Sequence, residues 1–227
     1  MLHVRHYIGL DLAQVSDYTA VVSLRREQEI PDTIRPAAMD LSSLKRLEAH
    51  VPVPQASPAR YYCNIAERFK SDYLVIASHI CKLFQVPTFS GQTLVVDGTG
   101  VGRPVVDIIR QLRPACRLLP VTITGSAAQQ ALGKLHVDEW GYWHVPKKEL
   151  VGTVQAILGT NRLEIAPKLA HAATLVHELK NFSYKISAAT AHISYSAWRE
   201  RDHDDLVLAL ALACWAGERA RQELWVL

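Results

Sequence analysis

Two short apolar runs in this chain end on an aspartate, and an acidic pair opens its longest apolar stretch. Tyr7-Ile8-Gly9-Leu10 runs into Asp11, and Leu94-Val95-Val96 runs into Asp97. His203-Asp204-Asp205 leads into Leu206-Val207-Leu208-Ala209-Leu210-Ala211. The two short runs read as buried strands and the last stretch as a buried helix. In open α/β sheets, strand ends and helix starts collect at the carboxyl edge. Three or four carboxylates brought to one edge repel one another unless a divalent cation neutralises them. An all-oxygen donor set suits Mg2+ or Mn2+. Two such ions about 4 Å apart activate a water and stabilise the leaving oxygen in phosphodiester cleavage. Asp11 is the natural ligand to share between them, which makes a metal-dependent phosphodiester nuclease the first expectation.

The rest of the chain supports that architecture. Residues 3–10 and 18–26 read as adjacent strands joined by a turn over 13–17, and residues 59–68 as a third strand. Residues 27–58 carry Pro31, Pro36, Pro52, Pro54 and Pro58 and read as a loop excursion, with a short helix near 42–50. Helices are expected over 72–84, 102–112, 146–158, 170–181 and 204–222. Proline in the first turn suits the second and third of these. Strands are expected over 92–97, 117–122, 141–145 and 162–165, with extended pieces at 184–187 and 192–195. The order β-β-β-α-β-α-β predicts a single α/β domain over 1–227. Its mixed sheet has antiparallel front strands and parallel back strands, flanked by helices.

Bulk properties exclude several classes. At 49% hydrophobic residues the chain can bury a sizeable core, and a net charge of +3 leaves DNA binding to a local basic patch. Cys63, Cys81, Cys116 and Cys214 form no C-x-x-C pair and read as buried thiols in a reducing compartment. No apolar signal core and no run of about 18 apolar residues occurs, so a soluble cytoplasmic protein is expected, without membrane association. The histidines form no H-x-x-x-H or H-E-x-x-H set, which disfavours a zinc hydrolase.

Each acidic residue also has a plainer reading. A lone strand-end aspartate is often a turn residue, and Asp204 could be a helix N-cap. An N-cap, however, needs no second carboxylate beside it and no preceding histidine. Gly98-Thr99-Gly100-Val101-Gly102 lacks the G-x-G-x-x-G spacing of a dinucleotide loop. It reads as a tight strand-to-helix crossing beside a metal site, where small residues let a phosphodiester backbone approach. Arg103, Lys147 and Lys148 are candidate phosphate contacts, although a solvated surface role is the commoner one for each. Trp140 and Trp143, flanking a hairpin tip, are more simply packing residues.

At these motifs the chain resembles the nuclease domain of the large terminase subunit of tailed bacteriophages. The resemblance runs through Ile8-Gly9-Leu10-Asp11, Asp17-Tyr18-Thr19-Ala20-Val21, Leu94-Val95-Val96-Asp97-Gly98-Thr99-Gly100-Val101-Gly102, Pro120-Val121-Thr122-Ile123-Thr124-Gly125, Val145-Pro146-Lys147-Lys148-Glu149-Leu150 and His203-Asp204-Asp205-Leu206-Val207. It implies an RNase H-like fold, with Asp11, Asp97 and Asp205 as the catalytic, metal-binding triad and Asp204 a further metal ligand. Asp17 and His203 would flank the ions. It also implies cleavage of double-stranded DNA during viral genome packaging, in the cytoplasm of an infected or prophage-bearing bacterium. The implied partners are DNA, a packaging ATPase, a small terminase subunit and a portal.

One departure stands out. The family's ATPase motor carries a phosphate loop, and no G-x-x-x-x-G-K-[ST] occurs here. The expectation is an excised nuclease domain or a nuclease-only gene product, with no nucleotide cofactor. Two rivals share parts of the pattern. A RuvC-like junction resolvase or integrase-type nuclease would keep the chemistry and change the substrate. An actin-like ATPase has similar phosphate loops but no use for the Asp204-Asp205 pair. The missing phosphate loop predicts no ATP turnover by the purified chain; turnover abolished by Asp11→Asn would favour the actin-like rival.

Overall fold

The computed structural model describes residues 1–12, 18–30, 56–100, 102–125, 136–188 and 204–223, with backbone only for 182–188 and 220–223. Among them are eight strands: β1 (Leu2–Asp11), β2 (Thr19–Glu29), β3 (Arg60–Phe69), β4 (Thr93–Asp97), β5 (Arg117–Thr124), β6 (His136–Val137), β7 (Trp143–Pro146) and β8 (Leu163–Ile165). Five helices accompany them: α1 (Tyr73–Leu83), α2 (Gly102–Leu112), α3 (Lys147–Gly159), α4 (Ala172–Ala188) and α5 (Asp205–Glu223). The strands form one sheet in the order β6-β7-β5-β4-β1-β2-β3-β8. β1, β2 and β3 are antiparallel neighbours, and β1, β4, β5 and β7 are parallel neighbours. This is the expected mixed sheet. Two short additions close it, β8 parallel to β3 and β6 antiparallel to β7.

Helices cover both faces. Ile76 and Ile80 of α1 and Val105 and Ile109 of α2 pack with Ile8, Leu10, Leu94 and Val96 on one face. On the other, α3, α4 and α5 pack over Tyr7, Val22, Leu24 and Val95. β1 and β4 therefore contribute alternate residues to two cores, which explains their continuous apolar reading. α5 is buried from Asp205 through Gly217, so its apolar character runs round its whole circumference. It lies directly on β1. A Cβ on Gly9 would stand 1.8 Å from the Ala209 carbonyl oxygen, and one on Gly217 2.7 Å from the Tyr61 ring. Tyr61 pairs with Arg26, which pairs with Arg5. α5 thus begins over the carboxyl end of β1 and runs back toward its amino end.

The register of β3 contains an irregularity. Ser23 pairs with Ile65 and Leu24 with Cys63, so Asn64 has no opposite residue. Before this bulge Tyr61 and Cys63 face α5; after it Ala66 does, while Ile65 and Phe69 pack toward α1. The bulge shifts the alternation by one.

Several expectations need correction. β2 continues through Glu29, into the stretch read as loop, and 31–55 lies outside the described residues. Residues 184–187, read as extended, are helical and form the last turns of α4. Their β propensity is weak against the propagation of an existing helix, which adds a hydrogen bond for each residue fixed. The piece at 192–195 lies outside the described residues. β6 was not foreseen because two residues are too short for a pattern. Cys63 and Cys214 are buried, but Cys81 and Cys116 only half-buried, and burial pushes all four thiols up. No helix among the described residues is long and apolar enough to cross a membrane.

The close approach of α5 to β1 predicts that Gly9→Ala costs about 3 kcal/mol or more, because backbone cannot yield as a side chain does. Gly152, in the middle of α3 with open space around it, supplies the contrast. Gly152→Ala should stabilise by up to about 1 kcal/mol through helix propensity. Urea unfolding of both variants measures the difference.

Candidate active site at the carboxyl edge

Asp11 and Asp97 are the last residues of adjacent parallel strands. Leu10 pairs with Val96, so the two aspartates stand side by side in the next row. Neighbouring strands lie about 4.8 Å apart. Both side chains are on the α5 face: Asp11 is two residues beyond Gly9, and Asp97 two beyond Val95. Asp97 is 3% exposed and Asp11 half-buried.

The loop after β4 fixes Asp97. Its Oδ1 accepts the Thr99 N–H at 2.8 Å, the Gly98 N–H donates to the Val121 carbonyl at 2.7 Å, and Thr99 Oγ1 accepts the Ile123 N–H at 2.9 Å. A Cβ on Gly98 would meet the Tyr142 ring at 2.4 Å, and one on Gly102 the Asp97 carbonyl oxygen at 2.1 Å. Gly100 has φ +62°, in the region that favours glycine. The glycines therefore serve a tight crossing against strand and ring, as their spacing predicts.

The acidic pair lies over the same edge. Asp205 stands one turn, about 6 Å, before Ala209. Asp11 stands two residues, about 6.6 Å, beyond Gly9, on which Ala209 rests. Asp204 supplies the helix cap through its backbone, its carbonyl accepting the Leu208 N–H at 2.9 Å. Asp205, 9% exposed, is the first helical residue.

Two residues not anticipated from the sequence complete this edge. Arg68 of β3 places Nη2 2.7 Å from Asp205 Oδ2 and Nη1 3.9 Å from Glu178 Oε1. Its guanidinium lies over the Tyr18 ring, 4.3 Å from the centroid. Glu178 of α4, 6% exposed, accepts the Val207 N–H through Oε2 at 3.1 Å, in the first turn of α5. Burial, with Asp205 and Asp204 nearby, pushes the Glu178 carboxyl up to about 7, against the Val207 hydrogen bond and Arg68. Glu178 was legible in principle. It sits three residues after Leu175 and one before Leu179, on the buried stripe of its helix.

The four acids share an edge without being gathered round a point. Among the described residues, no three His, Cys, Asp or Glu side chains stand close enough together to hold a metal ion. The donors themselves, carboxylate oxygens carried by strand ends and a helix start, have the chemistry for a hard divalent cation. In this arrangement Asp205 Oδ2 is paired with Arg68. Asp17 and His203 lie outside the described residues. Arg103 is exposed in the first turn of α2, its guanidinium 5.1 Å from the Tyr142 ring centroid. Lys147 and Lys148 open α3 directly after β7, four and five residues beyond the row of Asp97, Val121 and Trp143. Trp143 packs edge-on against Trp215 at 6.1 Å, whereas Trp140 is 66% exposed.

The fold has solved counterparts. The large terminase nuclease from thermophilic phage G20c with bound magnesium matches 93% of this chain over 80% of its own, with TM-score 0.52 and 15% identity. The same nuclease with bound cobalt matches at TM-score 0.52 and 15% identity, over 93% and 81% of the two chains. A further structure of it matches at TM-score 0.51 and 14% identity, over 92% and 81%. The fold is that of a large terminase nuclease, RNase H-like. No family model and no curated protein matches the chain.

The raised Glu178 carboxyl sets a pH dependence. In the unfolded chain the group titrates near 4.5, in the folded protein near 7. Between these values the folded state binds more protons, so its stability falls as pH rises through the window. In metal-free buffer, Glu178→Gln should flatten that fall by a few kcal/mol at most. Its amide oxygen still accepts the Val207 N–H. Thermal melting of both proteins across the window tests this, and parallel curves would contradict it.

Proposed function

We propose that this chain is a divalent-metal-dependent endonuclease that cuts double-stranded DNA during viral genome packaging. The observation that supports this best is the pairing of Asp11 and Asp97 in one row with the start of α5 over them, in a terminase-nuclease fold. Asp11, Asp97 and Asp205, with Asp204 beside them, would hold Mg2+ or Mn2+, in a pair of ions. When bound, the metal supplies an activated water and neutralises charge on the leaving oxygen. Magnesium or cobalt bound to the similar phage nuclease is consistent with that role.

The chain's own residues do the positioning. The Thr99 N–H holds one Asp97 oxygen, which restricts the carboxylate to orientations facing α5. The short loop from Gly98 to Gly102 keeps side-chain bulk away from the edge, where a phosphodiester backbone must approach. Arg103, Lys147 and Lys148 would contact phosphates on either side, Asp17 and His203 would flank the ions, and His203 would assist proton transfer. A packaging ATPase, a small terminase subunit and a portal are the partners such a nuclease serves.

Plasmid cleavage in Mg2+ or Mn2+, abolished by EDTA, is the expected activity. Asp11→Asn and Asp205→Asn should abolish cleavage; Asp11→Asn should keep or raise the melting temperature, since it removes a charge from a repelling group, whereas Asp205→Asn should lower it, since Arg68 loses its partner. Asp204→Asn and Asp17→Asn should be milder, and His203→Ala should slow cleavage without ending it. Full cleavage by well-folded Asp11→Asn would remove this reading. Preference for four-way junctions over linear duplex would move it to the resolvase class.

A further inference from the structure

Arg68 is placed as part of the edge and not as a passing neighbour. Ala20 pairs with Asp11 on one side and with Arg68 on the other, so Arg68, Ala20, Asp11 and Asp97 form one row across four strands. Ala20 and Ala66 face α5, and Arg68, two residues beyond Ala66, faces the same way. That orientation depends on the bulge at Asn64; an unbroken alternation from Tyr61 and Cys63 would turn Arg68 toward α1.

The ion pair it makes is close and largely dry. Nη2 lies 2.7 Å from Asp205 Oδ2, and the two side chains are each 12% exposed. Charge pairs with little water around them interact far more strongly than surface pairs. The same guanidinium reaches toward Glu178 and lies over the Tyr18 ring, so one fixed cation faces the helix start from β3. A guanidinium does not lose its proton in proteins, so it cannot release Asp205 by titrating. While the pair is closed, the guanidinium competes with any second cation for the Asp205 carboxylate.

We propose that Arg68 is the resident counter-ion of the site: it holds Asp205 in the cation-free protein and must yield it when a divalent ion binds. The proposal rests on the metal-dependent reading above and names a positioning residue within it. Its consequence is unusual in direction. Removing an arginine that merely braced the site would weaken metal binding, whereas removing a competing counter-ion strengthens it.

The test uses the whole chain without DNA. Free Mn2+ is followed by its paramagnetic resonance signal during titration into wild type, Arg68→Met and Arg68→Lys, and melting is recorded in EDTA. Arg68→Met should melt at a lower temperature in EDTA, and that loss should shrink in an Asp205→Asn background, where the partner charge is already gone. It should bind Mn2+ about tenfold more tightly than wild type. Arg68→Lys, which keeps the charge but not the fork, should fall between them. It decides the matter if the methionine variant shows no cooperative melting. Mn2+ binding by a folded Arg68 variant that is no tighter than wild type, in a protein that binds Mn2+ and cuts DNA, overturns the proposal and leaves the nuclease reading standing. Absence of Mn2+ binding by wild type overturns both.

Discussion

The contact between Gly9 and the backbone of α5 at Ala209 determines where everything else can be. With no side chain between strand and helix, α5 rests on β1 at a fixed height. From that point, one helical turn and two strand residues are nearly equal lengths, so Asp205 and Asp11 arrive at the same edge. A longer residue at position 9 would lift the helix and separate the two carboxylates. The buried circumference of α5 makes the placement rigid, because a helix packed on all sides has no free direction in which to slide.

Charge is the cost of this arrangement. The helix start brings Asp204, Asp205 and Glu178 into a region with little water, and like charges there destabilise one another. Two features offset this. The Glu178 carboxyl retains its proton to a higher pH than usual, and Arg68 supplies a positive charge at 2.7 Å from Asp205. The edge thus combines acids engaged in holding the protein together with the two acids, Asp11 and Asp97, that end adjacent strands.

Much of this was legible from residue order. Strands ending in Asp11 and Asp97, the glycine crossing after β4 and the helix opening at Asp205 all follow from apolar run length and breaker residues, which act locally. Arg68 was not legible. In a strand read by alternation, Tyr61 and Cys63 assign the buried face to odd positions, which puts Arg68 outside. The bulge that reverses the assignment is a property of pairing between β2 and β3, so residues near 64 carry no local sign of it. Glu178 was missed for a different reason. A carboxylate on an apolar stripe looks like an interruption until the Val207 N–H that it accepts is in place. The helical ending of α4 was misread because a strand propensity over four residues was weighed without the helix already running into it.

The unpaired Asn64 uncouples chain length in β3 from the faces its other residues present. Many side chains could occupy that position, since no residue opposite depends on it. Deleting it would leave Cys63 and Ile65 consecutive opposite Leu24 and Ser23, a regular ladder without the bulge. Ala66 and Arg68 would stay opposite Val22 and Ala20 on the α5 face, and Ile65 and Phe69 would stay on the α1 face. Relatives of this chain should therefore vary at position 64 in presence as well as in type, because a ladder with or without that residue keeps Arg68 opposite Ala20.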